Sequence, residues 1–232
     1  MTVSVVIAKL EELKNPEKVI FKEKKFGIIC KNALGIYMKD LNLIAKSIGK
    51  NSELAVALFE TDMYEAKVLA GKIFNPIDLT PNLVSKWTVE FDNWEICDTF
   101  SMGIYAKSPL AESIILEYSS KVSEFEKRSA FATLAAYCMA NKNGNNSTFE
   151  RYFPLLEKAA NDERLYVKKA VNWALRSIGK RNIDLKQKAI SFSNSLLKLE
   201  SKSAQWIARD ALKELNSLNA RVSDYPRSIY RM

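Results

Sequence analysis

Helix-start signals recur along this chain at the interval of a two-helix unit, and that spacing restricts the available folds more than any other feature. Asn15-Pro16 and Ser108-Pro109 each set a capping residue before a proline. Asp62-x-x-Glu65, Ser123-x-x-Glu126 and Ser147-x-x-Glu150 have the pattern in which two side chains satisfy orphan backbone N–H groups. Apolar residues follow a helical period, with no alternation of period two longer than a few residues. These marks predict helices near 3–14, 17–30, 37–49, 52–60, 63–74, 81–91, 93–106, 109–122, 124–141, 148–160, 163–179, 184–199 and 203–217. The helices pair, and first members begin near 62, 93, 124, 162 and 202, giving intervals of 31, 31, 38 and 40 residues. Short helices that each bury one stripe gain stability by stacking on their neighbours. The expected fold is therefore all-α, a curved α-solenoid of antiparallel helix pairs with about 12–13 helices. No interior stretch rich in Gly, Pro or Ser marks a linker, so a single domain is expected over 2–217. Residues 218–232, with Arg221, Arg227 and Arg231, are expected to form a basic C-terminal tail, either frayed or used as an arm.

Composition removes whole classes of chemistry. The chain of 232 residues has no histidine, which excludes Ser-His-Asp and Cys-His nucleophiles and nearly every catalytic zinc site. With only 7 glycines, and no G-x-G-x-x-G or G-x-x-x-x-G-K, phosphate-cradling loops are not expected either. Any chemistry must rest on carboxylates, Lys, Arg, Tyr or Cys. Cys30, Cys97 and Cys138 lie far apart in apolar stretches and read as reduced core thiols. Their spacing suits no metal, and neither metal nor cofactor is expected. The longest apolar run, 130–140, is too short to span a bilayer, so no membrane is expected and the cytoplasm is the simplest compartment. Trp87 and Trp206 sit at helical spacing among large apolar neighbours and are expected in the core.

Charge is unevenly spread. Residues 1–116 carry 14 basic and 15 acidic side chains, a net −1, whereas 117–232 carry 21 and 12, a net +9. Arg164, Lys168, Lys169, Arg176, Lys180, Arg181, Lys186 and Lys188 fall within 25 positions that hold one acid, Asp184. Such a density can neutralise several phosphates, although a solvated helix face has the same composition. A second feature is the segment 91–100, where Trp94 and Asp98 stand four apart on one helical face. An Asp beside an indole is either paired across to a neighbouring repeat or set to stabilise positive charge.

The segment Asn93-Trp94-Glu95-Ile96-Cys97-Asp98 is followed in order by Glu126-Lys127-Arg128-Ser129-Ala130-Phe131-Ala132 and by 162–176, which contains Lys168-Lys169-Ala170-Val171-Asn172-Trp173. In these segments the chain resembles the AlkD-type DNA alkylation-repair glycosylases, whose fold is a stack of HEAT-like helical repeats. The resemblance runs from Asn15-Pro16-Glu17-Lys18 to Ser203-Ala204-Gln205-Trp206. It is weakest over 1–35, where Phe26-Gly27-Ile28-Ile29-Cys30 stands in place of a segment expected to be more aromatic. It implies a monomeric monofunctional glycosylase acting on double-stranded DNA that carries cationic N3- or N7-alkylated purines. By the same resemblance Trp94 and Trp173 are aromatic walls, Asp98 the catalytic carboxylate and Arg128 the phosphate-holding cation. Lys168, Lys169, Arg176 and Arg181 are expected as further DNA contacts, chosen by position and charge. Two alternatives stay open: a DNA-binding solenoid without catalysis, and a scaffold for an acidic protein partner.

Overall fold

Capping residues and apolar stripes produce helices at almost every expected place. In the computed structural model, which describes residues 1–30 and 32–227, there are fourteen α-helices and two 3₁₀ turns among the described residues, and no strand. The chain packs as two compact units, Met1–Pro109 and Leu110–Met232.

In the first unit α1 (Val3–Glu12), α2 (Pro16–Phe26), α3 (Met38–Ile48), α4 (Ser52–Phe59), α5 (Tyr64–Ile73), α6 (Pro81–Val89) and α7 (Trp94–Gly103) follow in order. The helix expected over 17–30 stops at Phe26 because Gly27 takes a left-handed φ of 65° and closes the last turn. Helix α5 is buried nearly throughout and packs against α3, α4 and α7. The approach of α7 is close: a Cβ on Gly71 would stand 2.7 Å from Thr99 Cγ2. Trp87 is fully buried as expected, its ring 5.0 Å from Phe74 and 5.1 Å from Phe100.

The second unit holds α8 (Ala111–Tyr118), α9 (Glu124–Ala140), α10 (Asn146–Glu150), α11 (Phe153–Ala160), α12 (Leu165–Gly179), α13 (Ile183–Leu196) and α14 (Lys202–Leu215). Residues 148–160, expected as one helix, form two, since Pro154 lacks an N–H and suits only a first turn. Helices α9, α12 and α14 lie side by side, with α8 packed on α9 and α13 on both α12 and α14. Each unit thus repeats the helix pairing read from the 31- to 40-residue intervals.

Part of the C-terminal segment is fastened to the second unit. The N–H groups of Ser223 and Tyr225 donate to the carbonyls of Lys180 and Arg181 at 2.9 Å each. Asn182 Nδ2 donates to the Tyr225 carbonyl at 2.6 Å. Arg221 and Arg227 stay exposed, and Arg231 lies outside the described residues. Among the described residues, no helix is long and apolar enough to cross a membrane.

Candidate functional site

Helix α7 begins at Trp94 because Asn93 caps it, its Oδ1 accepting the Ile96 N–H at 3.0 Å. The side chain of Asn93 is buried and also donates to Asp92 at 2.7 Å, which ties the helix entry to the preceding loop. Ile96, Cys97 and Phe100 turn into the core, leaving Trp94 and Asp98 partly buried, one helical turn apart on the same face. The indole does not rotate freely. Its Nε1 donates to the Phe26 carbonyl at 3.0 Å, and the Phe26 ring stands edge-on at 6.2 Å.

That contact answers the expected shortage of aromatic character near residue 26. Phe21, Phe26 and Tyr37 are all exposed, and lysines sit over their rings: Lys18 at 4.7 Å from both Phe21 and Tyr37, Lys25 at 5.1 Å from Phe21. Each such contact is worth about 0.5–1 kcal/mol at an exposed site. The five-residue interval between Phe21 and Phe26 conceals this surface from any helical-period reading.

Glu95, beside Trp94, is held by Lys22 Nζ at 2.7 Å and by the Tyr64 hydroxyl, which donates to the same oxygen. Lys22 Nζ also lies 4.8 Å from the Tyr64 ring centroid. Burial, joined by the Glu95 carboxylate, drives the Tyr64 phenol far above its ordinary range, so it stays a donor. Burial likewise pushes the Cys30 thiol up to about 12, with Asp92 adding to it. Cys30 is therefore a poor nucleophile. Cys97 and Cys138 are buried as expected, and none of the three cysteines is in a disulfide among the described residues. No group of three or more Cys, Asp or Glu is placed to hold a metal ion among the described residues.

In the second unit, Arg128 on α9 is 6% exposed and Trp173 on α12 is partly buried. Arg128 Nη1 donates to the Tyr166 carbonyl at 2.7 Å, and its guanidinium lies 6.0 Å from the Tyr166 ring, which pairs with Phe125 at 5.3 Å. The cation is consequently fixed in place. At the head of α12, Asp162 accepts from Arg164 at 2.6 Å and from Lys127 at 3.0 Å. The Arg164 hydrogen bonds, and then those of Lys127, hold its carboxyl well below the usual range.

The four expected DNA contacts on this unit diverge. Lys169 is exposed and Lys168 partly so. Arg176 pairs with Glu214 and lies 3.7 Å from Asp210, so its charge is largely compensated. Arg181 corrects the expectation outright, because it is fully buried and cannot reach a phosphate. It donates to the Cys138 and Gly144 carbonyls, the latter at 2.9 Å, with its guanidinium 3.7 Å from the centroid of the Phe149 ring. A buried cation needs such partners to offset lost hydration. Trp206 is corrected in the opposite direction: expected in the core, it is 38% exposed.

Compared with known proteins, residues 6–215 match the family described as DNA alkylation repair enzyme. One solved structure, described as "a new family of proteins related to the HEAT-like repeat DNA glycosylases with affinity for branched DNA structures", is 19% identical. The match covers 93% of this chain and 94% of that one, at a TM-score of 0.75. The likeness shows the fold, a HEAT-like repeat architecture. Two designed armadillo repeat proteins, 17% and 18% identical, cover 76% and 78% of this chain, and 92% and 81% of their own lengths is matched. Their TM-scores are 0.36 and 0.34. No curated protein matches the chain.

Proposed function

The chain belongs to the DNA alkylation repair enzyme family, and from that premise we propose that it hydrolyses the N-glycosidic bond of cationic N3- or N7-alkylated purines in duplex DNA. The observation that carries this reading is the pair on α7: an indole pinned by Phe26 and a partly buried carboxylate, Asp98, one turn away on the same face. An alkylated purine already bears positive charge, so it departs as a neutral base and needs no proton from the protein. The absence of histidine is no obstacle to such a reaction.

As the bond from C1′ to the base nitrogen lengthens, its electron pair leaves with the base and positive charge grows on the deoxyribose. Asp98 stabilises that charge and orients a water whose oxygen bonds to C1′, its proton passing to the carboxylate or to solvent. Trp94, beside Asp98 on α7, presents an electron-rich face to the cation, worth about 0.5–2 kcal/mol, and Trp173 on α12 presents a second indole face to the DNA. Arg128, held on the Tyr166 carbonyl, supplies a positive charge at a set position for a phosphate. Lys168 and Lys169 grip the backbone further along, with a smaller share from Arg176.

The test is base release from methylated duplex DNA. Wild type is expected to free alkylpurines and Asp98→Asn to do so about 10²-fold more slowly; equal release would remove Asp98 from the chemistry. A second reading, DNA binding without base release, draws on the affinity for branched DNA described for the fold neighbour. Salt-sensitive binding by wild type with no base released would select it.

A further inference from the structure

On α14, Trp206 faces a pocket of about 490 Å³ lined also by Lys168, Lys202, Gln205, Arg209 and Glu163. Lys168 Nζ lies 5.2 Å from the indole centroid. Neighbouring cations are neutralised: Lys127 and Arg164 pair with Asp162, and Arg176 and Lys180 with Glu214. Lys168, Lys202 and Arg209 are different. Among the described residues none of the three makes an ion pair, and Glu163 is the only acid lining the pocket, so the lining carries three positive charges against one negative.

The platform is also rigid. Asn172 Nδ2 on α12 donates to the Ile207 carbonyl at 3.1 Å, and Ser203 Oγ donates to the Asp162 carbonyl at 2.7 Å, which fastens α14 to α12 and to the segment leading into it on both sides of Trp206. Gln205 is anchored to the Leu199 carbonyl at 2.9 Å and accepts from Arg209 at 3.0 Å, which aims that guanidinium along the pocket. An accessible indole set among uncompensated cations on a fixed support has the two elements that single-stranded nucleic acid requires. One is a face for base stacking and the other a positive field for the backbone.

We propose that Trp206 is a stacking platform for one unpaired nucleotide of a DNA strand, with Lys168, Lys202 and Arg209 receiving its flanking phosphates. Bases inside a duplex have both faces covered by their neighbours, so along the strand it is an unpaired base that can lie on the indole. The flexible stem of Lys168 lets its ammonium leave the ring for a phosphate when the base arrives. The inference rests on the DNA-binding reading above and adds to it a second, non-catalytic contact.

The experiment measures binding of the full chain to a blunt duplex, to the same duplex with a short single-stranded thymidine overhang, and to free thymidine monophosphate. Wild type is expected to bind the overhang about 5- to 100-fold more tightly than the blunt duplex. Trp206→Ala should bring the overhang to the blunt value, while Trp206→Phe keeps most of the gain; circular dichroism checks that each variant is folded. Equal affinities of wild type and Trp206→Ala for the overhang overturn the platform while leaving duplex binding intact. Trp206-dependent binding of the free nucleotide without any overhang gain also overturns it, in favour of a small-molecule site. Failure of wild type to bind either DNA would sink the functional reading, and the platform with it.

Discussion

The basic cluster of the second unit contains two groups of cations with opposite fates, a compensated or sealed half of Arg176, Lys180 and Arg181 and an open half of Lys168 and Lys169. Toward its C-terminal end, Arg176 and Lys180 share Glu214, and Arg181 is sealed against Phe149 with carbonyl partners on either side. Toward its N-terminal end Arg164 pairs with Asp162, whereas Lys168 and Lys169, with Lys202 and Arg209 on α14, make no ion pair among the described residues. Each of these cations counts the same toward the net charge of +9 over residues 117–232. The open half is the more available to a phosphate. Net charge counts cations, whereas binding depends on those whose carboxylate or carbonyl partners have not already been found.

The largest expected effect lies in the sealed half. Arg181→Ala leaves the Cys138 and Gly144 carbonyls without their donor and a void against Phe149, costing about 3 kcal/mol or more of stability. That corresponds to a midpoint about 6–12 °C lower in thermal unfolding. An unchanged melting temperature would restore Arg181 to the list of surface cations. Next in size is the open half. Lys168→Ala with Lys169→Ala should leave the melting temperature in place, weaken duplex binding about tenfold, and reduce the slope of log K against log salt by about 1.8. Arg176→Ala with Lys180→Ala should move that slope less; an equal or larger change would dissolve the distinction between the halves.

The smallest effect is a pH dependence at Asp162, just ahead of the cluster. Asp162 has its carboxyl depressed below the ordinary aspartate value of 3.8, first by Arg164 and then by Lys127. A depressed folded-state value adds stability that is complete above the unfolded value and is lost as pH falls through the folded one. Unfolding measured from pH 5 downward should therefore show wild type losing more stability than Asp162→Asn, with the difference opening below about pH 4. Parallel curves would mean that this ion-pair cluster holds nothing together.

The architecture was legible because helical period and pair spacing are local properties, and the helices lie within a few residues of their expected positions. The caps were less so. Asp62-x-x-Glu65 has the letters of a capping box, yet Met63 is the cap residue, and Glu65 instead accepts three N–H groups from Leu34, Gly35 and Ile36. A carboxylate reaching about thirty residues back along the chain leaves no mark in the four-residue pattern. Ser108-Pro109 precedes α8 by two residues, and Asn145, not Ser147, caps α10. Burial at helical spacing was equally ambiguous, since Trp87 and Trp206 have similar neighbours in sequence and only the stacking of helices decides which ring meets solvent. At the candidate site, Trp94 and Asp98 could be placed on one face from their interval alone. The part played by Phe26 could not, because it depends on a main-chain carbonyl 68 positions earlier in the chain.

The central claim is that the Asp98 carboxylate opposes the positive charge that develops on the sugar as the base leaves. Single-turnover excision of one defined N7- or N3-alkylpurine, with protein saturating over DNA, tests it most directly when paired with the affinity of each variant for the same duplex. The account predicts that Asp98→Asn binds the duplex within about twofold of wild type while its excision rate falls about 10²-fold or more. An Asp98→Asn protein that excises at the wild-type rate would contradict it.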